Sequence, residues 1–276
     1  MILYLYLGRV GYDEGLRLQA KIAALVAAGR LKNVLLLLEH PPVLTLGRNA
    51  NRANVLASDE LLAARGITLY EINRGGDVTY HGPGQLVGYP IFDLRTLKNR
   101  NGGRMGPVDF VRGMEEALIR VCLESGVRAA RVEGLTGVWC SVGGGSFVET
   151  GNERKIGAIG IHVAKGVTSH GFAFNVTTDL RDFELIVPCG IADHAVTSLE
   201  REMDGARDVP ALEAMAHAAA RQFGMVFEQQ VLAVESLDDL RSHATAARDF
   251  PAEDTPLSVP AEVERLGCAD ERRIRA

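Results

Sequence analysis

Basic residues are not in excess in this chain. The 30 Lys and Arg stand against 35 Asp and Glu, a formal net charge of −5. A polyanion-binding surface needs the opposite balance, so no nucleic-acid partner is expected. No apolar run approaches the ~20 residues that cross a bilayer, so no membrane association is expected either. The opening MILYLYLGRV is too short and wrongly flanked for a secretory signal. Cysteine is scarce: Cys122, Cys140, Cys189 and Cys268 lie far apart, with no CxxC pair. That points to a cytoplasmic protein with reduced thiols and not to a disulfide framework. There is no HExxH motif or Cys/His cluster, so no metal is expected. No GK[ST] follows the main glycine-rich loop, and that loop leads into a strand, not a helix. Both the P-loop and the dinucleotide fingerprint are therefore excluded.

What the chain does have is a hydrophobic share of 47% over 276 residues, ample for a core. Periodicity predicts helices over about 12–28, 58–64, 108–124 and 210–223. Ser58 caps the second, with Leu61 and Leu62 buried, and Pro107 opens the third. Strands are expected at 2–7, 34–38, 43–46, 67–72, 86–94, 127–132, 136–140, 155–163 and 172–177, with a shaped loop over 73–85 and a hairpin loop over 142–152. Strands and helices mix without a regular βαβ rhythm. The fold class read from this is α/β (α+β), a mixed β-sheet with flanking helices. Residues 1–230 read as one domain. Residues 231–276, with Pro251, Pro256 and Pro260 among many charges, read as a partly ordered appendage of unknown function, with a short helix near 261–266.

Four segments carry chemistry. The loop Arg74-Gly75-Gly76-Asp77-Val78-Thr79-Tyr80-His81-Gly82-Pro83-Gly84-Gln85 exposes backbone N–H groups and offers a cationic fork with polar side chains. Composition leaves a ligand loop and a tight inter-strand turn equally open. Lys155 opens a glycine-punctuated strand, Ile156-Gly157-Ala158-Ile159-Gly160, against whose backbone another element can lie flat. Taken alone, Lys155 reads as a solvated lysine. Ser169-His170-Gly171-Phe172-Ala173-Phe174-Asn175 is a small-residue strand, and its His170 reads first as a hydrogen-bonded structural residue. Pro188-Cys189-Gly190 is a turn. A turn cysteine that points its sulfur at neighbouring N–H groups favours the thiolate. Cys122 sits in an apolar helix and Cys140 ends an apolar strand, so both fit inert buried thiols. Of the four cysteines, Cys189 has the best local chemistry for a nucleophile.

Together with Glu39-His40-Pro41-Pro42-Val43, Thr45-Leu46-Gly47-Arg48 and Leu135-Thr136-Gly137-Val138-Trp139, these segments resemble the lipoyl(octanoyl) transferase family of lipoate biosynthesis, over about residues 1–225. The resemblance implies a fold similar to the catalytic domain of biotin and lipoate protein ligases. It implies transfer of an octanoyl group from acyl carrier protein to a lysine of a lipoyl domain, in 2-oxoacid dehydrogenases or the glycine cleavage H protein, without cofactor. It puts the nucleophile on Cys189 and its partner on Lys155. Acyl binding falls on Arg74, Gly75, Gly76, Asp77, Val78, Thr79, Tyr80 and His81, on Ala158, Ile159 and Gly160, and on Gly171, Phe172 and Ala173.

The chemistry is self-consistent. A nearby ammonium favours a thiolate over a thiol of ordinary pKa about 8.5. A thiolate exchanges thioesters without ATP, and a neutral amine can act as general base for the acceptor lysine. Arg95, Lys98, Arg100 and Arg104, in a stretch without acids, are expected to meet an acidic carrier. Two other readings stay open at this level. One is an ATP-dependent lipoate- or biotin-type protein ligase, which would not need Cys189; the other is a non-catalytic acyl-carrier-binding protein.

Overall fold

The computed structural model describes residues 1–99, 101–141, 147, 149–187, 194–205 and 207–245. Eleven strands and six helices are defined among them. The order is β1 (Ile2–Arg9), α1 (Tyr12–Ala27), β2 (Asn33–Glu39), β3 (Val43–Leu46), α2 (Asp59–Ala64), β4 (Thr68–Glu71), β5 (Val78–His81), β6 (Gln85–Ile91), α3 (Pro107–Glu124), β7 (Ala129–Val132) and β8 (Leu135–Cys140). Then come β9 (Arg154–Ala164), β10 (Val167–Asn175), α4 (Leu199–Met203), α5 (Leu212–Val226), β11 (Val231–Ala233) and α6 (Leu237–Ser242). Eight strands form one mixed sheet in the order β11-β1-β2-β6-β10-β9-β8-β7, and β4-β3-β5 form a second. In the large sheet β1 runs parallel to both β11 and β2, and the remaining pairs are antiparallel.

The apolar run of β2 shows why the large sheet is central. A strand covered on both faces has no polar side to present, so it reads as continuous hydrophobicity instead of alternation. Successive side chains still point to opposite faces. Leu35 and Leu37 enter a core with Phe110, Met114 and Leu118 of α3 and Phe223 of α5. Val34, Leu36 and Leu38 enter a second core with Ile22 and Val26 of α1 and Leu240 of α6. A third core closes the small sheet, where Leu44, Val78 and Tyr80 pack against Leu62, Phe183 and Ile186.

Most expected elements are present, with small shifts at their ends. Three expectations change. The stretch 73–85 is not all loop, because Val78–His81 forms β5, paired antiparallel with β3. Ser58 does cap α2, its Oγ accepting the Leu61 N–H at 3.3 Å. However, Leu61 is exposed and only Leu62 is buried, because a helix this short turns one face inward. The sheet also continues past residue 230, since β11 pairs with β1. Residues 246–276, with the helix expected near 261–266, lie outside the described residues, and so does part of the 142–152 loop.

Backbone approaches backbone closely where β10 pairs with β6. A Cβ on Gly171 would sit 2.1 Å from the Gly88 carbonyl oxygen and 2.5 Å from Pro90 Cδ. No rotamer relieves a clash with backbone. Gly171→Ala is therefore expected to cost about 1–3 kcal/mol and to lower the thermal midpoint by roughly 2–4 °C per kcal/mol for a chain of this size. An unchanged melting curve would contradict this close approach of Gly171 to the β6 backbone.

Candidate active site

The Arg74 loop lies flat between the small sheet and β9. Gly75 N–H donates to the Ile161 carbonyl at 2.9 Å, and Arg48 N–H to the Arg74 carbonyl at 3.0 Å. A Cβ on Gly160 would meet the Gly75 oxygen at 2.7 Å, and one on Gly47 would meet the Gly76 oxygen at 2.3 Å. These glycines permit a backbone-on-backbone contact that any side chain would prise open. Arg74 is buried, with Nη2 donating to the Thr45 carbonyl at 2.9 Å and to Thr45 Oγ1 at 2.8 Å, and Nη1 to the Gly75 carbonyl at 3.0 Å. Asp77 accepts from the backbone N–H of Asn51 and from the Asn54 side-chain amide.

Alternation along β5 then sorts the expected residues. Asp77, Thr79 and His81 line a cleft together with Arg74 and Gly76. Val78 and Tyr80 point to the other face, into the small-sheet core, where Tyr80 Oη donates to Asp182 Oδ2 at 2.7 Å. The opposite wall comes from two paired strands. Gly160 lies opposite Gly171, Ile159 opposite Phe172 and Ala158 opposite Ala173. All six line the cleft. Of the expected binding residues, then, eleven share one cleft, while Gly75, Val78 and Tyr80 support it from outside.

Lys155 is buried, not solvated. It stands opposite Trp139 in the sheet, its Nζ 4.5 Å from the indole centroid. Its backbone N–H donates to the Ala195 carbonyl at 2.8 Å, and its carbonyl accepts from Thr197 N–H at 2.9 Å. Lys155 shares a small cavity with Thr79, Ala158 and Ala173, which are also cleft residues, and with Gln85, Asn175, Phe183 and Val196. It therefore stands at one end of the cleft. Cys189 lies outside the described residues. Cys122 and Cys140 are inside the core, where burial pushes both thiols well up. Neither is a thiolate at neutral pH.

A model of the lipoyl protein ligase A/B catalytic domain matches residues 11–224. The octanoyltransferase of Acidobacterium capsulatum is 62% identical over 239 residues, 86% of this chain and 94% of that one. The octanoyltransferase of Koribacter versatilis is 49% identical over 269 residues, 96% and 97% of the two chains. The chain belongs to the octanoyltransferase family. Its fold is also that of a bipartite lipoate protein ligase from Thermoplasma acidophilum, with a TM-score of 0.64 at 19% identity over 88% of this chain and 90% of that one. As a member of the octanoyltransferase family, the protein is an acyltransferase.

The cleft has a polar flank that the sequence does not advertise. Tyr12, at the start of α1, and Tyr89, on β6, line it beside His81 and His170. His40 Nδ1 donates to the Val10 carbonyl at 2.7 Å, because a carbonyl can only accept. The neutral ring is left to accept the Tyr89 hydroxyl at Nε2, at 2.6 Å. Gln85 Nε2 donates to Tyr80 O and Asn175 Oδ1, so its Oε1 accepts from His81 Nδ1 at 2.8 Å. His170 is more than structural filler. It adopts φ +56, lines the cleft, and donates from Nε2 to Asn73 Oδ1 at 2.8 Å. Burial pulls His40 down to about 4. Burial first, then His40, pulls His81 to about 3. Burial, then Arg74, pulls His170 to about 4. All three rings are neutral at pH 7.

The linkage has a definite sign. In the unfolded chain these rings take protons below their ordinary pKa of about 6.5, whereas the folded rings do not until pH 3–4. The unfolded state binds more protons throughout that window, so stability is full above pH 6.5 and falls as pH drops through it. Denaturant unfolding at pH 7 and pH 5 is expected to show this loss, with a shallower slope in His81→Gln. A flat profile would mean that the rings are hydrated.

Proposed function

We propose that the protein moves an octanoyl group from octanoyl-loaded acyl carrier protein to a lysine of a lipoyl domain, through a thioester on Cys189, with Lys155 handling the protons. One observation carries most weight: a buried lysine closes one end of a cleft walled by Ala158, Ile159 and Gly160 against Ala173, Phe172 and Gly171. The names of the octanoyltransferase relatives support octanoyl as the group moved. Two further facts favour Cys189. Both core thiols are too buried to ionise. The segment that carries Cys189 leaves from Val187, whose N–H donates to the Asn54 carbonyl, and returns at Ala195, whose carbonyl accepts from Lys155.

In the first half-reaction the Cys189 thiolate attacks the donor thioester carbonyl. The bond from that carbonyl to the carrier's sulfur breaks, and the Lys155 ammonium returns a proton to the departing thiolate. In the second half-reaction the acceptor amine attacks the enzyme thioester, neutral Lys155 takes its proton, and Cys189 leaves as thiolate. One thioester replaces another in the first step and an amide is gained in the second, so no ATP is consumed.

Intact-mass spectrometry after incubation with octanoyl-carrier protein tests the reading. Wild type is expected to gain one octanoyl group, and Cys189→Ala none. A folded wild type that gains no mass, but consumes ATP with free octanoate, would replace transfer by adenylation.

In this reading the carrier's acidic face meets the exposed Lys98 and Arg104. Arg95, also expected there, is already paired with Asp93 at 2.8 Å, and Arg100 lies outside the described residues. Reversing the charge of both Lys98 and Arg104 is expected to raise KM for the carrier substrate severalfold at low salt and to matter less at high salt. An unchanged KM at low salt moves the docking face elsewhere.

A further inference from the structure

Trp139 is buried behind Lys155 and lines neither the cleft nor the lysine's cavity. Three features of its surroundings are directed at the lysine. The pairing of β8 with β9 shifts register at this point: Val138 faces Gly157 and Trp139 faces Lys155, leaving Ile156 as the extra residue. A bulge re-aims side chains, and here it brings the ring under the ammonium. Gly137 has φ +129, and a Cβ there would sit 2.7 Å from the Gly157 oxygen and 3.3 Å from Lys155 Cε. A side chain there would collide with the Gly157 backbone and crowd the lysine stem. The Gly137 N–H is held by Glu115 Oε1 at 3.0 Å, while the other oxygen of this fully buried carboxylate takes Arg112 and Arg131 at 2.8 and 3.0 Å.

The indole itself is costly. Its Nε1 is buried with no hydrogen-bond partner among the described residues. A phenylalanine would fill much of the same space without an orphaned donor. What tryptophan offers in return is the strongest ring face for a cation. We infer that Trp139 is a positioning residue, holding the Lys155 ammonium through its ring face at the end of the cleft. The inference rests on the reading of Lys155 as the proton-handling group. Among the described residues, other charged or titratable groups near the pair include Glu115 beneath Gly137, His194 with its ring 5.1 Å from the indole, Glu153 beside His194, and His81 through Gln85.

Trp139 is the chain's only tryptophan, so its fluorescence reads the contact directly. Lys155→Met is expected to change the emission, and Lys155→Arg, which keeps a cation over the ring, to restore most of the wild-type spectrum. Identical spectra for wild type and Lys155→Met overturn the contact. Kinetics test its purpose. Trp139→Leu is expected to lower kcat for octanoyl transfer about tenfold with KM for the donor unchanged, an effect within the range of one cation–ring contact. Trp139→Phe keeps a ring and is expected to recover most of that loss. Equal loss of kcat in Phe and Leu variants, tracking equal loss of thermal midpoint, overturns the positioning role. If wild type transfers no octanoyl group, the functional reading falls, while the spectra still decide the contact.

Discussion

The site depends on one close approach: the Arg74 loop lying against the backbone of β9. Gly75 donates to Ile161, and Gly160 offers no Cβ to resist it. Next to that contact β5 pairs with β3, with Thr79 and His81 facing the cleft and Val78 and Tyr80 facing the small-sheet core. The buried Arg74 guanidinium ties the loop to the small sheet by donating to Thr45 on β3, while the Gly75 N–H ties it to β9 of the large sheet. A bulkier residue at any of these glycines would cost more than its own strain, because it would move a wall of the cleft. The same approach, made at Gly171 and Gly88, sets the floor where β10 meets β6.

The flank of the cleft shows a second constraint. A wall of histidines and tyrosines would ordinarily carry charge and water. Here each ring is held neutral by burial and given a fixed partner: Val10 and Tyr89 for His40, Gln85 for His81, and Asn73 for His170. Burial likewise pushes the phenols of Tyr12 and Tyr89 upward, which keeps them protonated. Neutral, partnered rings are compatible with an alkyl chain, whereas a charged ring at the same place would oppose it.

Much of this is legible in the sequence, for identifiable reasons. The continuous run of β2, the amphipathic periods of α1 and α3 and the Ser58 cap each have a local cause. Glycine spacing marks where backbones approach, and it points to the residues of β9 and β10 that the antiparallel register brings face to face. What stays hidden depends on tertiary context. β5 looks like loop because its glycine-rich flanks dominate its four residues, and its strand character comes from pairing with β3. Tyr12 reads as an ordinary helix residue until α1 packs across the sheet. Lys155 reads as solvated because no local signal marks its burial, which follows from Trp139 and the 194–197 segment on either side. The Glu115–Gly137 contact joins residues on different elements and leaves no pattern to find.

The chemistry assigned to this cleft makes two opposed demands. Holding an acyl chain asks for apolar wall along the chain, at about 0.8 kcal/mol for each buried methylene. Transferring that chain asks for a charge that appears and disappears beside the carbonyl. The architecture meets both by separating them along β9. Ala158 to Gly160 give the strand a nearly featureless stretch against β10, and Lys155, three residues earlier, brings the cation to the end. The register shift at Val138–Trp139 sets Trp139 opposite Lys155, and Gly137 keeps a side chain away from the lysine stem. A cation at the cleft end costs less when a ring face shares its desolvation. The lysine and the tryptophan are therefore best understood as one unit, set by a break in the sheet's register.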